Sequence, residues 1–474
     1  IWDQTIQGDK DIYDLKYGTE YTEDQINQAI RLQASGGDPY SIVPSKDDIG
    51  HGTRMAGIIG GRGINPDLKG AASDCHVIIV KLSRATKVEL DAAVIDKTDV
   101  PSYSPWSALL ALRYIIAVAR ELKRPVVVFE PLGSNMGSHT GNGIVEQSIN
   151  NYSTQSGTVV VVPTGNQGNT DTHTEGIIEN VGDVKDIEIR IGEKQRNLPI
   201  EIWINKPNRV KLSIISPSGE MIDNLDSKNA NNERIKFLYE GTEMIVNFTS
   251  PELSTGDSHI FIRAYNLKAG IWKFRLTGQY IVEGKYYAWI PQRELLDSET
   301  KFLNSVGYTT LTLSSTSNRA ISVAYYNQED NSVVTESGRG YTRDKMIKPD
   351  IAAGGFNAIV TNPGGGTAVI SGASVAGAVV AGCCVLILQW AVTDKNYPDI
   401  YAEQIKAYII SGAKGRPGDV YPNKEWGYGM LDMNGIFDRI KDTYNPRKSE
   451  DYEEYRVNNL FIRIPKSGYN RTIN

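Results

Sequence analysis

Thr158-Val-Val-Val-Val-Pro163 runs directly into Thr164-Gly165-Asn166-Gln167-Gly168-Asn169. The run is β-branched from Thr158 to Val162 with no polar alternation, so neither face of such a strand can be left to water. It belongs in a parallel sheet covered on both sides. The glycines around Asn166 end the strand in a turn, and an asparagine held there can present its amide as a hydrogen-bond donor. Asparagine and glycine are also the commonest turn residues, so the turn by itself assigns no role.

Working outward, Val77-Ile-Ile-Val-Lys-Leu82 and Val126-Val-Val-Phe129 read as two further buried strands. Ser107 to Leu122 gathers Leu109, Leu110, Leu112, Ile115, Ile116 and Val118 at helical spacing, and Tyr21 to Gln33 reads as a surface helix behind a Thr22 cap. Helical patterns return at Ser374 to Val392 and Ala402 to Ile410. Buried strands alternating with helices give an α/β class, a parallel sheet with helices on both faces. Between residues 185 and 315 the period changes to two, as in Ile187-Glu-Ile-Arg-Ile191, Ile200-Glu-Ile-Trp-Ile204 and Ile260-Phe-Ile-Arg-Ala264. Short alternating strands without helices predict an antiparallel β-sandwich, jelly-roll-like, inserted into the α/β chain.

The 474 residues carry 50 Lys+Arg against 56 Asp+Glu, a net charge of −6, which gives no basic face for nucleic acid. Cys75, Cys383 and Cys384 are too few for a disulfide framework. Gly372 to Val392 is long and apolar enough to span a bilayer, but its many Gly and Ala residues suit a tightly packed core helix, and no transmembrane segment is expected.

Two further motifs carry possible chemistry. Gly50-His51-Gly52-Thr53-Arg-Met-Ala56-Gly57 places an imidazole at the start of a small-residue segment, where it is either a reactive group or an ordinary loop histidine. Ser371-Gly372-Ala373-Ser374-Val375-Ala376-Gly377 puts Ser374 at a helix N-terminus, where backbone N–H groups can stabilise a developing oxyanion. Serine is equally at home there as an N-cap.

Taken together, these three motifs resemble the subtilisin-like serine proteases, the subtilases, from about residue 40 to residue 435 outside the insertion. Lesser matches keep the same order: Gly70 to Lys81, Leu132-Gly133-Ser134, Lys348 to Ala353 and Trp426 to Asp432. The resemblance implies His51 as general base, Ser374 as nucleophile and Asn166 as oxyanion donor, with Leu132, Gly133, Ser134 and Gly165 on the substrate-binding edge. It implies no cofactor for the chemistry; structural calcium occurs in the family, but no contiguous calcium loop is visible here. From Asn166 to Ser374 is 208 residues, and setting aside the 131 residues of 185 to 315 leaves 77, enough for a short strand–helix connection.

More narrowly, Ile1-Trp-Asp-Gln-Thr-Ile6, Asp38-Pro-Tyr-Ser-Ile-Val-Pro44 and the β insertion are similar to the clostridial Csp germination proteases and related anaerobe subtilases. Some of these activate the precursor of a spore-cortex hydrolase, which implies a spore-associated or secreted bacterial location; no signal peptide is visible. The expected division is a subtilase core at 1–184 and 316–440, the inserted sandwich at 185–315 and a C-terminal extension at 441–474.

The family's acid, an aspartate closing an apolar strand before Ser-Gly or Thr-Gly, has no match upstream of His51. Asp3, Asp9, Asp11, Asp14, Asp24, Asp38, Asp47 and Asp48 all lack that setting, and Asp47 and Asp48 read as serving their own loop. The expectation is that the chain begins just downstream of its catalytic aspartate. The implied partners are a protein or peptide substrate and an N-terminal fragment, or propeptide, carrying that aspartate. Ala373, Ala378 and Gly354 stand where the family often has Thr, Pro and Pro, and none of these removes a catalytic atom. The alternative is a catalytically inactive subtilase-like scaffold that binds partner proteins.

Overall fold

The structure is a computed structural model describing residues 1–8, 12–226, 232–444, 452–457 and 460–465. In chain order the first part contains β1 (Trp2–Asp3), β2 (Thr19–Glu20), α1 (Glu23–Ala34), α2 (His51–Gly60), β3 (Val80–Lys81), α3 (Lys87–Ala92), α4 (Pro105–Glu121), β4 (Val126–Phe129), α5 (Ile144–Tyr152) and β5 (Thr158–Pro163). Eleven strands follow: β6 (His173–Ile177), β7 (Val184–Ile191), β8 (Leu198–Ile204), β9 (Arg209–Ile215), β10 (Met221–Leu225), β11 (Glu233–Lys236), β12 (Glu243–Thr249), β13 (Ser258–Tyr265), β14 (Gly270–Tyr280), β15 (Lys285–Trp289) and β16 (Lys301–Phe302). The last part has β17 (Ile321–Asn327), β18 (Ser332–Val333), β19 (Ile351–Gly354), β20 (Ala358–Thr361), β21 (Thr367–Ile370), α6 (Ala373–Leu388), α7 (Ala402–Ser411) and α8 (Met433–Tyr444). A hairpin of β22 (Tyr452–Val457) and β23 (Leu460–Pro465) comes last; the rest of the C-terminal extension expected from residue 441 lies outside the described residues, apart from the end of α8.

β5 is the spine of the α/β part. β4, β5, β17 and β19 run parallel, with Val128 opposite Val160, Ile321 opposite Val161 and Val323 opposite Ile351. Every residue of β5 is buried. Val159 and Val161 pack with α6, and Val160 and Val162 face Leu112 and Ile116 of α4 and Ile149 of α5. Side chains alternate along a strand, so helices on both faces require apolar residues at every position. Each valine buried in this way contributes roughly 1.5–3 kcal/mol.

α6 and the turn that continues it to Thr393 carry the 21-residue apolar stretch Ala373–Thr393 through the centre of this core, with Ala376, Val380, Ala381, Cys384 and Ile387 fully buried. Its small residues let neighbouring elements approach closely, and burial in protein accounts for its apolar character on all sides.

The run Val77 to Leu82 departs from expectation. Only Val80–Lys81 is a strand, half-buried, and Val77 and Ile79 are 53% and 38% exposed. β3 pairs with β1 on one side, and among the described residues its other edge has no partner. β4 likewise ends its own sheet, with three of its four residues only half-buried. One helix reaches both sheets: Ile115 of α4 packs against the cluster that holds Trp2, which Val80 also joins, and against the cluster that holds Val128.

The period-two segment forms two antiparallel sheets, in the orders β10-β9-β14-β7-β16 and β11-β12-β13-β8-β15-β6. Their facing sides share Ile187, Ile189, Ile200, Ile202, Ile262, Trp272 and Phe274, the apolar halves of the alternating strands. β8 is buried on its outer face as well, where Glu201 and Trp203 lie beneath the α/β part. Arg343, from the loop before β19, seals this joint: its Nη2 donates to Asp257 Oδ2 at 2.7 Å and its Nε to the Ser138 carbonyl at 2.8 Å, with Trp203 under the guanidinium.

Candidate active site

α2 begins at His51 because Gly50 turns the chain with φ +83°, a conformation that favours glycine, and a Cβ there would lie 3.0 Å from Pro363. Asp47 holds the turn: its Oδ1 accepts from the Gly50 and Ile49 amides at 2.7 and 3.2 Å, and its Oδ2 from Thr53 N and Oγ1 at 2.9 and 2.7 Å. These bonds hold the Asp47 carboxyl below its usual range despite partial burial, and they serve the loop as the sequence suggested. Asp48 pairs instead with Lys81 at 3.0 Å.

Asp3 is buried at the end of β1, but its oxygens are taken by Thr5 N at 2.8 Å, by Thr5 Oγ1 and by Ser45 Oγ at 2.6 Å. Among the described residues no carboxylate hydrogen-bonds the His51 ring. Burial pushes the imidazole below its ordinary pKa, with the Asp47 charge opposing and the Arg54 charge assisting, so the ring is neutral at neutral pH.

α6 begins at Ala373, with Gly372 as its N-cap and no side-chain capping bond. Ser374 is therefore the second helical residue, and the alternative that it is an N-cap does not hold. At Gly372, φ is +150° and a Cβ would lie 3.4 Å from Asn166 Oδ1. The Ala373 amide donates to Asn166 Oδ1 at 3.0 Å across 207 residues of sequence. That bond fixes the side-chain amide, because the oxygen is engaged and Nδ2 is the end left to donate elsewhere. As a first-turn amide, Ser374 N–H has no intrahelical acceptor and is left to donate beyond the helix end.

α2 and α6 pack against each other through Met55, Val375 and Ala378. Met55 lies one turn after His51 and Val375 directly follows Ser374, so this contact lies close to both helix starts. Arg54 anchors α2 to the β20–β21 hairpin through Asn362 Oδ1, at 2.8 Å from Nη2.

Gly133 and Gly165 close on one residue not anticipated from sequence, Thr312. A Cβ at Gly133 would lie 2.5 Å from Thr312 Cβ, and one at Gly165 would lie 2.4 Å from its Cγ2. Thr312 N donates to the Thr164 carbonyl and Leu313 N to the Ser134 carbonyl, both at 3.0 Å, so this segment ties the ends of β4 and β5 together. Leu132 and Ser134 are half-buried on the same edge. Glu130, just before that edge, has its carboxyl pushed up to about 7 by burial, with Ser314 Oγ donating to it at 3.2 Å. Gln167, 3% exposed, was also missed; the only signal in the sequence was its place next to Asn166.

The sequence profile of the subtilase family of peptidases matches residues 9–188 and 302–429, leaving out most of the sandwich. Among solved structures, the Clostridium perfringens CspB protease is similar at a TM-score of 0.80 and 29% identity, covering 91% of this chain and 86% of that one. The prenylagaramide maturation protease PagA is similar at 0.42 and 13%, covering 82% of each chain. An S218A mutant of the PatA protease domain stands at 0.43 and 13%, covering 84% of each. No curated protein sequence matches.

Proposed function

Since the chain belongs to the subtilase family and is a subtilisin-like serine protease, we propose that it is an endopeptidase with Ser374 as nucleophile, His51 as general base and Asn166 as oxyanion donor. The observation that supports this reading is the 3.0 Å bond from Ala373 N to Asn166 Oδ1, which engages the amide oxygen at the residue before the serine and leaves Nδ2 to donate.

In the first half-reaction, neutral His51 accepts the Ser374 hydroxyl proton as Oγ bonds to the scissile carbonyl carbon. The carbonyl oxygen takes the displaced π-electron pair and is held by Asn166 Nδ2–H and the Ser374 amide. His51 then gives its proton to the leaving amine as the C–N bond breaks, leaving an acyl-serine. Water repeats the sequence, with His51 taking its proton and returning one to Ser374.

The acid of the triad, on this reading, is brought by a strand from a further segment or chain that adds to the sheet between β3 and β4. The edges of both strands, unpartnered among the described residues, the exposed Val77 and Ile79, and the helix α4 that reaches both sheets support it. The physiological role we attach is that of a Csp-type protease acting on the precursor of a spore-cortex hydrolase, on the strength of the likeness to CspB.

Hydrolysis of casein by the purified protein tests the chemistry. Cleavage abolished by Ser374→Ala and by His51→Ala supports it; cleavage that survives either change contradicts it. A folded protein that binds casein without cleaving it favours the scaffold alternative.

A further inference from the structure

The loop carrying Asn166 is held from the sandwich side by its next residue. Gln167 Oε1 accepts from the backbone amide of Arg293 at 2.9 Å and from Thr170 Oγ1 at 3.1 Å, and its Nε2 donates to Glu294 Oε2 at 3.1 Å. Arg293–Leu295 is a single 3-10 turn between β15 and β16. Immediately before it, Gln292 Nε2 donates to the Gly133 carbonyl at 2.9 Å, so one short turn of the sandwich reaches both the Gly133 edge and the Asn166 loop. The turn is itself braced: Lys97 Nζ donates to the Glu294 carbonyl at 3.1 Å, and Arg293 Nη1 to the Thr300 carbonyl at 2.7 Å.

Away from the sandwich, the loop is fixed through its backbone by Gly338 N to the Gly165 carbonyl at 2.9 Å and Gly168 N to the Glu336 carbonyl at 3.0 Å, and through the Asn166 side chain by Ala373 N. Asp171 meets Lys301 and Ser305 at the far end of this loop, but Gln167 is the side chain that ties it to the sandwich directly beside Asn166, with both ends of its amide engaged.

We propose that Gln167 is a positioning residue for Asn166, through which the turn at Gln292–Leu295 of the sandwich sets the aim of the oxyanion donor. The inference rests on the reading of Asn166 as that donor and gives the insertion a part in catalysis. A side-chain amide displaced by even a fraction of an ångström loses its alignment with the developing charge, although the substrate's other contacts remain.

The test is the rate of Ser374 modification by a fluorophosphonate in the full-length protein, since the phosphoryl oxygen of the adduct occupies the oxyanion position. Asn166→Ala is expected to slow it by about 100-fold, and Gln167→Ala by about tenfold. If Gln167 acts through Asn166, adding Gln167→Ala to Asn166→Ala costs nothing more.

Gln167→Glu keeps the acceptor for Arg293 N but sets a carboxylate against Glu294. It is expected to slow the reaction like Gln167→Ala, and Gln167→Glu with Glu294→Gln, which restores a donor–acceptor pair, returns the rate to within about twofold of the original. An unchanged rate in Gln167→Ala, an equal further loss in the Asn166→Ala background, or a change confined to the thermal midpoint overturns the proposal. A normal rate in Asn166→Ala overturns the oxyanion reading beneath it.

Discussion

The backbone amide of Ala373 donates to Oδ1 of Asn166 at 3.0 Å, joining the turn after β5 to the first residue of α6. The bond orients a side-chain amide without spending its donor end. Asn166→Asp keeps the acceptor for Ala373 but removes the N–H, so it should fold normally and lose about 10²–10³ in kcat with little change in KM. Steady-state kinetics with the same substrate check this, and a loss confined to KM contradicts it.

α6 can lie in the centre of the core only because its surface is small. A Cβ at Gly382 would sit 2.6 Å from Ala71 Cβ. Gly382→Val forces these elements apart and should cost about 1–3 kcal/mol or more, read from the urea unfolding midpoint. An unchanged midpoint contradicts the packing described here.

Arg343 and Asp257 form the buried ion pair between sandwich and α/β part, 2.7 Å apart. Arg343→Met leaves the Asp257 carboxylate buried with its charge unpaired and should destabilise the protein by about 3–5 kcal/mol. Arg343→Met with Asp257→Asn should recover part of that loss in the same unfolding experiment.

The same joint holds His259, stacked on Trp203 at 4.0 Å, with its Nε2 buried, 3.8 Å from Glu201 Oε1 and without a hydrogen bond among the described residues. Burial pushes its pKa down to about 4, with Glu252 opposing and Arg343 assisting. The folded form therefore resists a proton that the unfolded chain accepts below about 6.5. Stability from this group is present above pH 6.5 and is lost as pH falls towards 4, by about 1.4 kcal/mol per pH unit. His259→Phe keeps the stack without the titration, so its loss of unfolding free energy between pH 7 and pH 5 should be smaller than the parent's by about 2 kcal/mol.

Much of this was legible in sequence where a local pattern had a single physical solution. The Thr158–Val162 run demanded burial on both faces, and the glycines around His51 and Ser374 marked helix starts. Val77–Leu82 misled because an apolar run is buried only if something lies on both sides of it, and one edge of β3 has no partner among the described residues. The alternation in Ile200–Ile204 implied one wet face, whereas Glu201 accepts from Gly137 N and Trp203 lies beneath the Arg343 guanidinium, both from loops far away in the chain. Thr312 and Gln167 were invisible for the same reason: their partners are set by the closing of the chain, and no local spacing announces them.

The central claim, that Ser374 is a nucleophile activated by His51, is tested most directly by fluorophosphonate labelling of the folded full-length protein, followed by mass mapping of the modified peptide. The account predicts one adduct, on the peptide containing Ser374, absent in Ser374→Ala and strongly slowed in His51→Ala. No adduct on the folded protein, or an adduct that persists in Ser374→Ala, would contradict it.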